Sequence, residues 1–452
     1  MDIHMAEGNS RCEIVDKSPE KTLKDTKRAL KKTPVEECTR EELIARVTQL
    51  EAHVLQLKNI IAKSEEKPAS GTKKQRPFDF SRYNFRHIAL KILYLGWDYN
   101  GFTVQEDTDK TIEAALFDAL IKSKLIEKRE TSNYHRCGRT DKGVSAFSQV
   151  ISIDVRSNLS EGLGMKARGN EQITPKQGEK REELPYASLL NKLLPREIRV
   201  LAWAPVHEDF SARFSCKQRT YKYFFPHGDL NLELMQISGK KLEGVHDFRN
   251  FCKMDVSHGV VTFRREILLV DVKECDERDI PAYRMCELTV VGNAFLWHQI
   301  RCIVSVLFLV AKGVEPPEII EELLDVEKHP KKPQYTMASE LPLVLFDCQF
   351  ENVDWIYNEE AHRYNVKRLQ ELWGKAAIKA TMIRKMLTEL EHVPELGAEG
   401  VTGGSFLDWM AMGWKGKTYK RLLDRQTCES LEDKMESVAK KKKLAVGKTE
   451  PS

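Results

Sequence analysis

Apolar residues in this chain change their period several times, and that limits the folds open to it. Leu43, Val47, Leu50, Val54, Leu57 and Ile61 recur four and three apart. This is a heptad seam with Leu at d and β-branched residues at a, a choice that favours parallel two-stranded coiled coils. Thr39 and Glu42 in front of it fit a capping box. Three heptads are marginal alone, so one amphipathic helix packed on its own body is the competing reading. Beyond a charged linker the period drops to two. Ile88, Leu90 and Ile92 alternate with Ala89 and Lys91 as a strand does. Ile112, Ala115, Leu116, Ala119 and Leu120 return to helical spacing, and Val150, Ile151, Ile153 and Val155 read as a second strand. Strand candidates at 198–203, 220–225, 267–272 and 286–291 then interleave with helix candidates at 186–194, 295–311 and 317–324. Such irregular interleaving predicts an α+β fold with mixed sheets.

The chain divides accordingly. Residues 1–38 read as a disordered tail, 39–63 as the coiled-coil helix and 64–77 as a linker. A first α/β body spans 78–184, including a Gly-, Lys- and Glu-rich insert at 157–183 that reads as a mobile loop, and a second spans 185–353. A helical, basic extension (354–433) and a disordered basic tail (434–452) follow. The apolar run 303–311 is closed by Arg301 and Lys312, far short of the roughly 20 residues a bilayer needs, so it predicts a core helix and no membrane partner. The N-terminus has no apolar stretch of the secretory kind. The ten cysteines are scattered without a CxxC, which argues for reduced thiols rather than zinc or disulfides, with Cys137 a packing residue. With 72 Lys+Arg against 68 Asp+Glu, net charge decides nothing. The lysine run 440–443 reads either as a solvated tail or as a nuclear-localisation element, so nucleus and cytoplasm both stay open.

No GxGxxG, GxxxxGK[ST], HExxH or GxSxG occurs, so dinucleotide, P-loop, zincin and hydrolase chemistries have no support. What stands out is Tyr134-His135-Arg136-Cys137-Gly138-Arg139-Thr140-Asp141-Lys142-Gly143-Val144-Ser145-Ala146, between a predicted helix and a predicted strand. Gly138 and Gly143 bracket a turn. Arg136, Arg139 and Lys142 surround Asp141; such cations depress a carboxylate's pKa and keep it ionised as a nucleophile or base. They also suit phosphates. On chemistry alone, a surface ion pair in a turn explains the same residues.

The G-R-T-D-x-G-V-x-A pattern of that loop resembles the signature of the TruA family of tRNA pseudouridine synthases. Three more segments resemble the family in its order: Tyr94-Leu95-Gly96-Trp97-Asp98-Tyr99-Asn100-Gly101-Phe102; Phe210-Ser211-Ala212-Arg213-Phe214-Ser215 with Arg219-Thr220-Tyr221-Lys222-Tyr223; and Asn293-Ala294-Phe295-Leu296-Trp297-His298-Gln299-Ile300-Arg301. The resemblance covers about 78–350 and implies the pseudouridine synthase fold, two mixed α/β subdomains flanking a catalytic cleft. It implies an isomerase without cofactor or metal, acting on tRNA as a homodimer that the heptads would reinforce. Asp141 matches the essential aspartate, attacking C1′ or taking the 2′ proton. Arg301 is expected to pair with Asp141, and Arg139 to fill the space a flipped nucleotide leaves. Tyr221 matches the tyrosine that stacks on the uracil. Without that context Arg301 reads as a helix-end arginine and Tyr221 as an ordinary strand aromatic. Phe295 and Leu296 are expected to wall the base pocket, with core packing an equal reading. His298 reads as a structural histidine. Arg136, Lys142, Lys217, Arg219, Arg384, Lys385, Lys415, Lys417 and Lys420 are candidates for RNA contacts.

The stretches 131–137 and 246–255, the heptads and the ending Tyr419-Lys420-x-Leu422-x-Asp424-Arg425 resemble the eukaryotic branch that modifies uridines 38 and 39 of the anticodon stem-loop. A sister synthase acting at other uridines and a non-catalytic coiled-coil RNA-binding protein are the competing readings.

Overall fold

The computed structural model describes residues 78–166, 182–256, 262–275, 281–391, 407, 410 and 419–446. The expected tail, coiled-coil helix and linker (1–77), Lys415, Lys417 and residues 167–181 of the expected insert lie outside this range. The described residues form a mixed α/β body. Ten strands make one sheet: β1 (Asn84–Tyr94), β2 (His135–Arg136), β3 (Ser145–Ser157), β4 (Met165–Lys166), β5 (Ile198–Pro205), β6 (Cys216–Pro226), β7 (Gly244–Asp247), β8 (Arg264–Glu274), β9 (Met285–Gly292) and β10 (Leu343–Phe350). The helices are α1 (Ile112–Lys122), α2 (Tyr186–Asn191), α3 (Leu232–Lys240), α4 (Gln299–Ala311), α5 (Ile319–Leu324), α6 (Glu359–Glu391) and α7 (Leu431–Val446). None is long and apolar enough to cross a membrane.

The sheet runs β4-β1-β3-β10-β6-β9-β8-β7, with β5 also on β1 and β2 on β3. All pairings are antiparallel except β10 with β3, where Val344 meets Ser145 and Leu345 meets Ala146. This brief parallel seam joins two hydrophobic clusters. One gathers β1, β3 and β5 with α1 and α2; the other gathers β6, β8 and β9 with α3, α4 and α5. The expected boundary at 184/185 falls inside the first cluster, because β5 pairs with β1 from Ile198 to Pro205 and Tyr186, Ala187 and Leu190 of α2 pack there.

β1 is covered on both faces: Ile88, Ala89 and Leu90 are all inaccessible to solvent. α1 is started by Thr111, whose hydroxyl accepts from the Ala114 N–H at 3.2 Å. α4 is buried almost throughout, as the apolar run 303–311 requires. It starts at Gln299 rather than at 295, because the Gln299 N–H closes a turn onto the Leu296 carbonyl with His298 at φ +61.

Two stretches read as unstructured are ordered. Glu183, at the end of the insert, is held by Arg86 at 2.9 Å and by the Ser157 hydroxyl at 2.8 Å. Residues 434–446, expected as tail, lie in α7. Its start is a reciprocal cap: the Ser430 Oγ accepts from the Asp433 N–H at 3.0 Å, and the Asp433 Oδ2 from the Ser430 N–H at 3.1 Å. Lys331 then ties Asp433 to the body at 2.9 Å.

Candidate active site

The loop 137–144 emerges at the parallel seam, where β3 begins, and backbone contacts lock it to the turn 96–101. The Phe102 N–H donates to the Thr140 carbonyl and the Gly143 N–H to the Tyr99 carbonyl, both at 3.1 Å. A Cβ on Gly96 would lie 1.9 Å from the Val144 oxygen, so the two segments approach as closely as only glycine permits. Gly143 adopts φ +78, and a Cβ there would meet Glu340 at 2.8 Å. The Thr140 hydroxyl bonds the buried Tyr94 hydroxyl at 2.7 Å, and Gln149 bonds both backbone groups of Gly138. Asp141 is thus carried on a loop with little freedom.

Asp141 faces a cleft of about 580 Å³ lined also by Asn100, Thr103, Arg139, Trp297, His298, Arg301 and Glu340. Its side chain is 28% exposed. The Trp297 indole Nε1–H donates to Asp141 Oδ1 at 3.1 Å, and His298 Nε2 lies 3.5 Å from Oδ2. Burial raises the Asp141 pKa above the usual aspartate value, against the lowering effects of the Trp297 hydrogen bond and the charges of Arg301 and Lys253. The sequence reading expected the opposite sign, from Arg136, Arg139 and Lys142. Desolvation wins, helped by the negative charge of Glu340, and Arg136 turns away: it pairs at 2.8 Å with the fully buried Glu113 of α1, which also holds Arg129 and the Tyr134 hydroxyl. Arg136 is therefore a structural cation in this state.

Arg301 does not pair directly with Asp141. Its Nε donates to the Ala338 carbonyl at 2.7 Å and its Nη2 to Glu340 Oε2 at 2.8 Å. It acts on Asp141 through its field, from a side chain only 13% exposed. Arg139 is exposed, lines the cleft and makes no hydrogen bond or ion pair among the described residues. Lys142 also lines the cleft and is exposed.

Arg219 is a staple rather than a free cation. One guanidinium nitrogen donates to the Asn293 carbonyl; the other donates at 3.1 Å to the carbonyls of Cys137 and Arg213. It therefore joins three of the four resembling segments through their backbones. Tyr221 is half-buried in a row across the sheet with Ala146, Leu345 and Val290. Its ring meets Phe295 edge-on at 5.2 Å. Its hydroxyl makes no hydrogen bond among the described residues, and burial raises its pKa far above the usual tyrosine value. Phe295 and Leu296 pack partly buried on the second cluster. Of the proposed RNA contacts, Lys217 meets Glu351 at 3.2 Å with both side chains exposed, Arg384 lies over the Tyr283 ring at 3.8 Å, and Lys385 and Lys420 are exposed.

Several site residues carry little sequence signal. Glu340 and Lys253 are single charges far from the loop in sequence. Trp297 occupies an open position of the N-A-F-x-x-H pattern, and only the missing Ser, Thr, Asp or Asn cap before α4 hints that its turn does other work. His298, read as structural, is brought to Asp141. Burial and the charges of Arg301, Lys253 and Lys332 push its pKa down to about 4, so it is neutral at physiological pH. Three cysteines scattered in sequence converge beneath the loop. The sulfurs of Cys137, Cys216 and Cys348 lie within 4.8 Å of one another, all buried. They are the thiol-rich group best suited to a soft metal among the described residues, though a structural zinc site takes four ligands.

A family model described as tRNA pseudouridine synthase matches residues 239–351. The chain is 46% identical over 430 residues to a human protein named tRNA pseudouridine(38/39) synthase, covering 89% of this chain and 88% of that one. It is 41% identical over 333 residues to the Saccharomyces cerevisiae protein of the same name, covering 70% and 72%. With the tRNA pseudouridine synthase A of Methanosarcina mazei it shares 29% over 303 residues, 67% of this chain and 98% of that one. On sequence and on the site its segments build, the chain belongs to the tRNA pseudouridine synthase family.

Proposed function

We propose that this synthase isomerises uridines 38 and 39 of the tRNA anticodon stem-loop, with Asp141 as the reacting carboxylate. One observation carries the mechanism: a partly desolvated carboxylate on a rigid loop faces a cleft beside an unpaired, exposed arginine. The reaction breaks N1–C1′, turns the freed uracil and bonds C5 to C1′. Substrate and product are isomers, so no electron, group or water is consumed.

Asp141, ionised above its raised pKa, attacks C1′ or removes the 2′ proton; both routes need the anion. Desolvation makes that anion more basic than an aspartate in water, which suits either role. Arg301, held by Glu340 and Ala338, keeps a positive charge nearby without neutralising the carboxylate in a contact pair. Arg139 enters the stem as the nucleotide leaves, offsetting part of the few kcal/mol of unstacking. Tyr221 stacks on the uracil with Phe295 and Leu296 beside it, although none of the three lines the Asp141 cleft in this structure; the Tyr221 hydroxyl, without a hydrogen bond among the described residues, can take the proton that moves from C5. The two hydrophobic clusters form the subdomains on either side of the cleft. Arg213 and Phe214 add an outer platform: Phe214 is 75% exposed, with the Arg213 guanidinium 5.2 Å from its ring. Exposed aromatic and arginine pairs suit unpaired bases.

The heptads support a homodimer, for which the full chain should sediment at twice 52.1 kDa. The lysines at 440–443 support entry to the nucleus as well as cytoplasmic residence; a fluorescent fusion should leave the nucleus when they are changed to serine. The positional assignment is tested with transcripts in which uridine 38 or 39 is replaced by cytidine. Each replacement should remove one mapped pseudouridine and leave the other, whereas conversion confined to other positions would move the chain to a sister synthase.

A further inference from the structure

We propose that Trp297 is a positioning residue for the reaction: its indole N–H holds Asp141 Oδ1 and leaves Oδ2 as the oxygen presented to the ribose. This rests on Asp141 being the reacting carboxylate. A carboxylate with both oxygens free rotates about its last bond and divides its time between orientations. The 3.1 Å bond from Trp297 Nε1 fixes that rotation, because the donor itself is held. Its backbone carbonyl accepts from the Lys253 N–H at 2.9 Å, and its ring lies 4.3 Å beneath the Lys253 ammonium. The next residue, His298, sits in the left-handed region at φ +61 and opens α4 without a side-chain cap. A non-glycine residue in that conformation is strained, and the turn it makes aims both side chains at Asp141. Near Oδ2, by contrast, stands His298 Nε2 at 3.5 Å, and that imidazole is neutral.

The groups facing Asp141 come from three elements besides its own loop. They are Trp297, His298 and Arg301 at the start of α4, Glu340 before β10, and Lys253. Among these groups Trp297 donates a hydrogen bond to Asp141, and that bond stabilises the ionised form. Removing that donor therefore raises the pH at which Asp141 protonates, whereas a residue that merely packs would lower the rate equally at every pH.

The test is single-turnover conversion of tRNA between pH 5 and 9 by the full-length protein and by Trp297→Phe, which keeps the ring over Lys253 and removes the N–H. The bond is solvent-exposed, which discounts it to about 0.5–1 kcal/mol, an upward shift of the acid limb by about half a pH unit. The rate of Trp297→Phe should recover toward the parent on the alkaline side. Trp297→His, which restores a donor, should hold the acid limb nearer the parent's. In the parent protein itself, the Trp297 indole N–H resonance should titrate with the acid limb and be silent in Asp141→Asn. An acid limb unmoved in Trp297→Phe, or an indole resonance indifferent to Asp141, overturns the proposal. Activity surviving in Asp141→Asn overturns instead the reading on which it rests, so the two failures are distinct.

Discussion

Arginines near an RNA-processing cleft invite the reading that they bind phosphate, and Arg219 tests whether geometry overrules that habit. Its three hydrogen bonds all end on backbone carbonyls, of Cys137, Arg213 and Asn293. Replacing it by Met keeps much of the aliphatic stem and removes all three. The bond to Cys137 is partly buried; a charged hydrogen bond there contributes about 2 kcal/mol, and the two exposed ones about 0.5 kcal/mol each. The expected loss is about 3 kcal/mol. For a body of this size that lowers the melting midpoint by about 4–5 °C. Because the loop that carries Asp141 is rooted at Cys137, conversion should fall as well, while tRNA affinity at fixed temperature changes little. The assays are thermal melting and tRNA binding at several salt concentrations. A phosphate-binding arginine gives the reverse pattern: an unchanged midpoint, weaker binding, and a salt slope reduced by about one. That outcome would refute the staple.

Other outcomes follow from the same contacts. Asp141→Asn should melt higher than the parent at neutral pH. The folded-state pKa of Asp141 is raised, so its ionised form opposes folding at neutral pH, and the difference should shrink as pH falls from that raised pKa to the ordinary aspartate value and be gone below it. The acid limb of activity should accordingly lie above that of a solvated aspartate. Glu113→Ala should lose about 3–5 kcal/mol, since it leaves Arg129, Arg136 and Tyr134 facing an empty buried site; chemical denaturation measures it. Phe214→Ala should leave the melting midpoint unchanged and weaken tRNA binding about 5- to 100-fold, within the range for loss of one base stack.

Much of the sheet was legible because most strands carry either alternation or a compact apolar run, and all four central strand candidates of the second body are present, each extended by a few residues. β10 was missed although it joins the two halves. Leu343, Leu345 and Cys348 are buried, Val344 and Phe346 are half-buried, and the register against β6 shifts at 345/347 and again at 349/350, so the strand loses the period-two signal. α7 was lost to the lysine run that follows its cap. Within the site, the loop and its single acid were visible in the sequence, while the role expected of Asp141 came from the family resemblance rather than from spacing. The directions of side chains were not. Arg136 lies five positions from Asp141 yet points to Glu113 on α1, and Arg301 reaches Glu340 rather than the aspartate. The sign of the Asp141 shift depends on how far water is excluded, which no local pattern of charges encodes.

The central claim is that Asp141 performs the isomerisation while other groups bind the tRNA. It is tested most directly by comparing the parent and Asp141→Asn under single-turnover conditions, with tRNA affinity measured on the same preparations. The account predicts equal affinity within a few-fold, with pseudouridine at positions 38 and 39 formed by the parent and none by the variant. Conversion by Asp141→Asn at the parent's rate would contradict it.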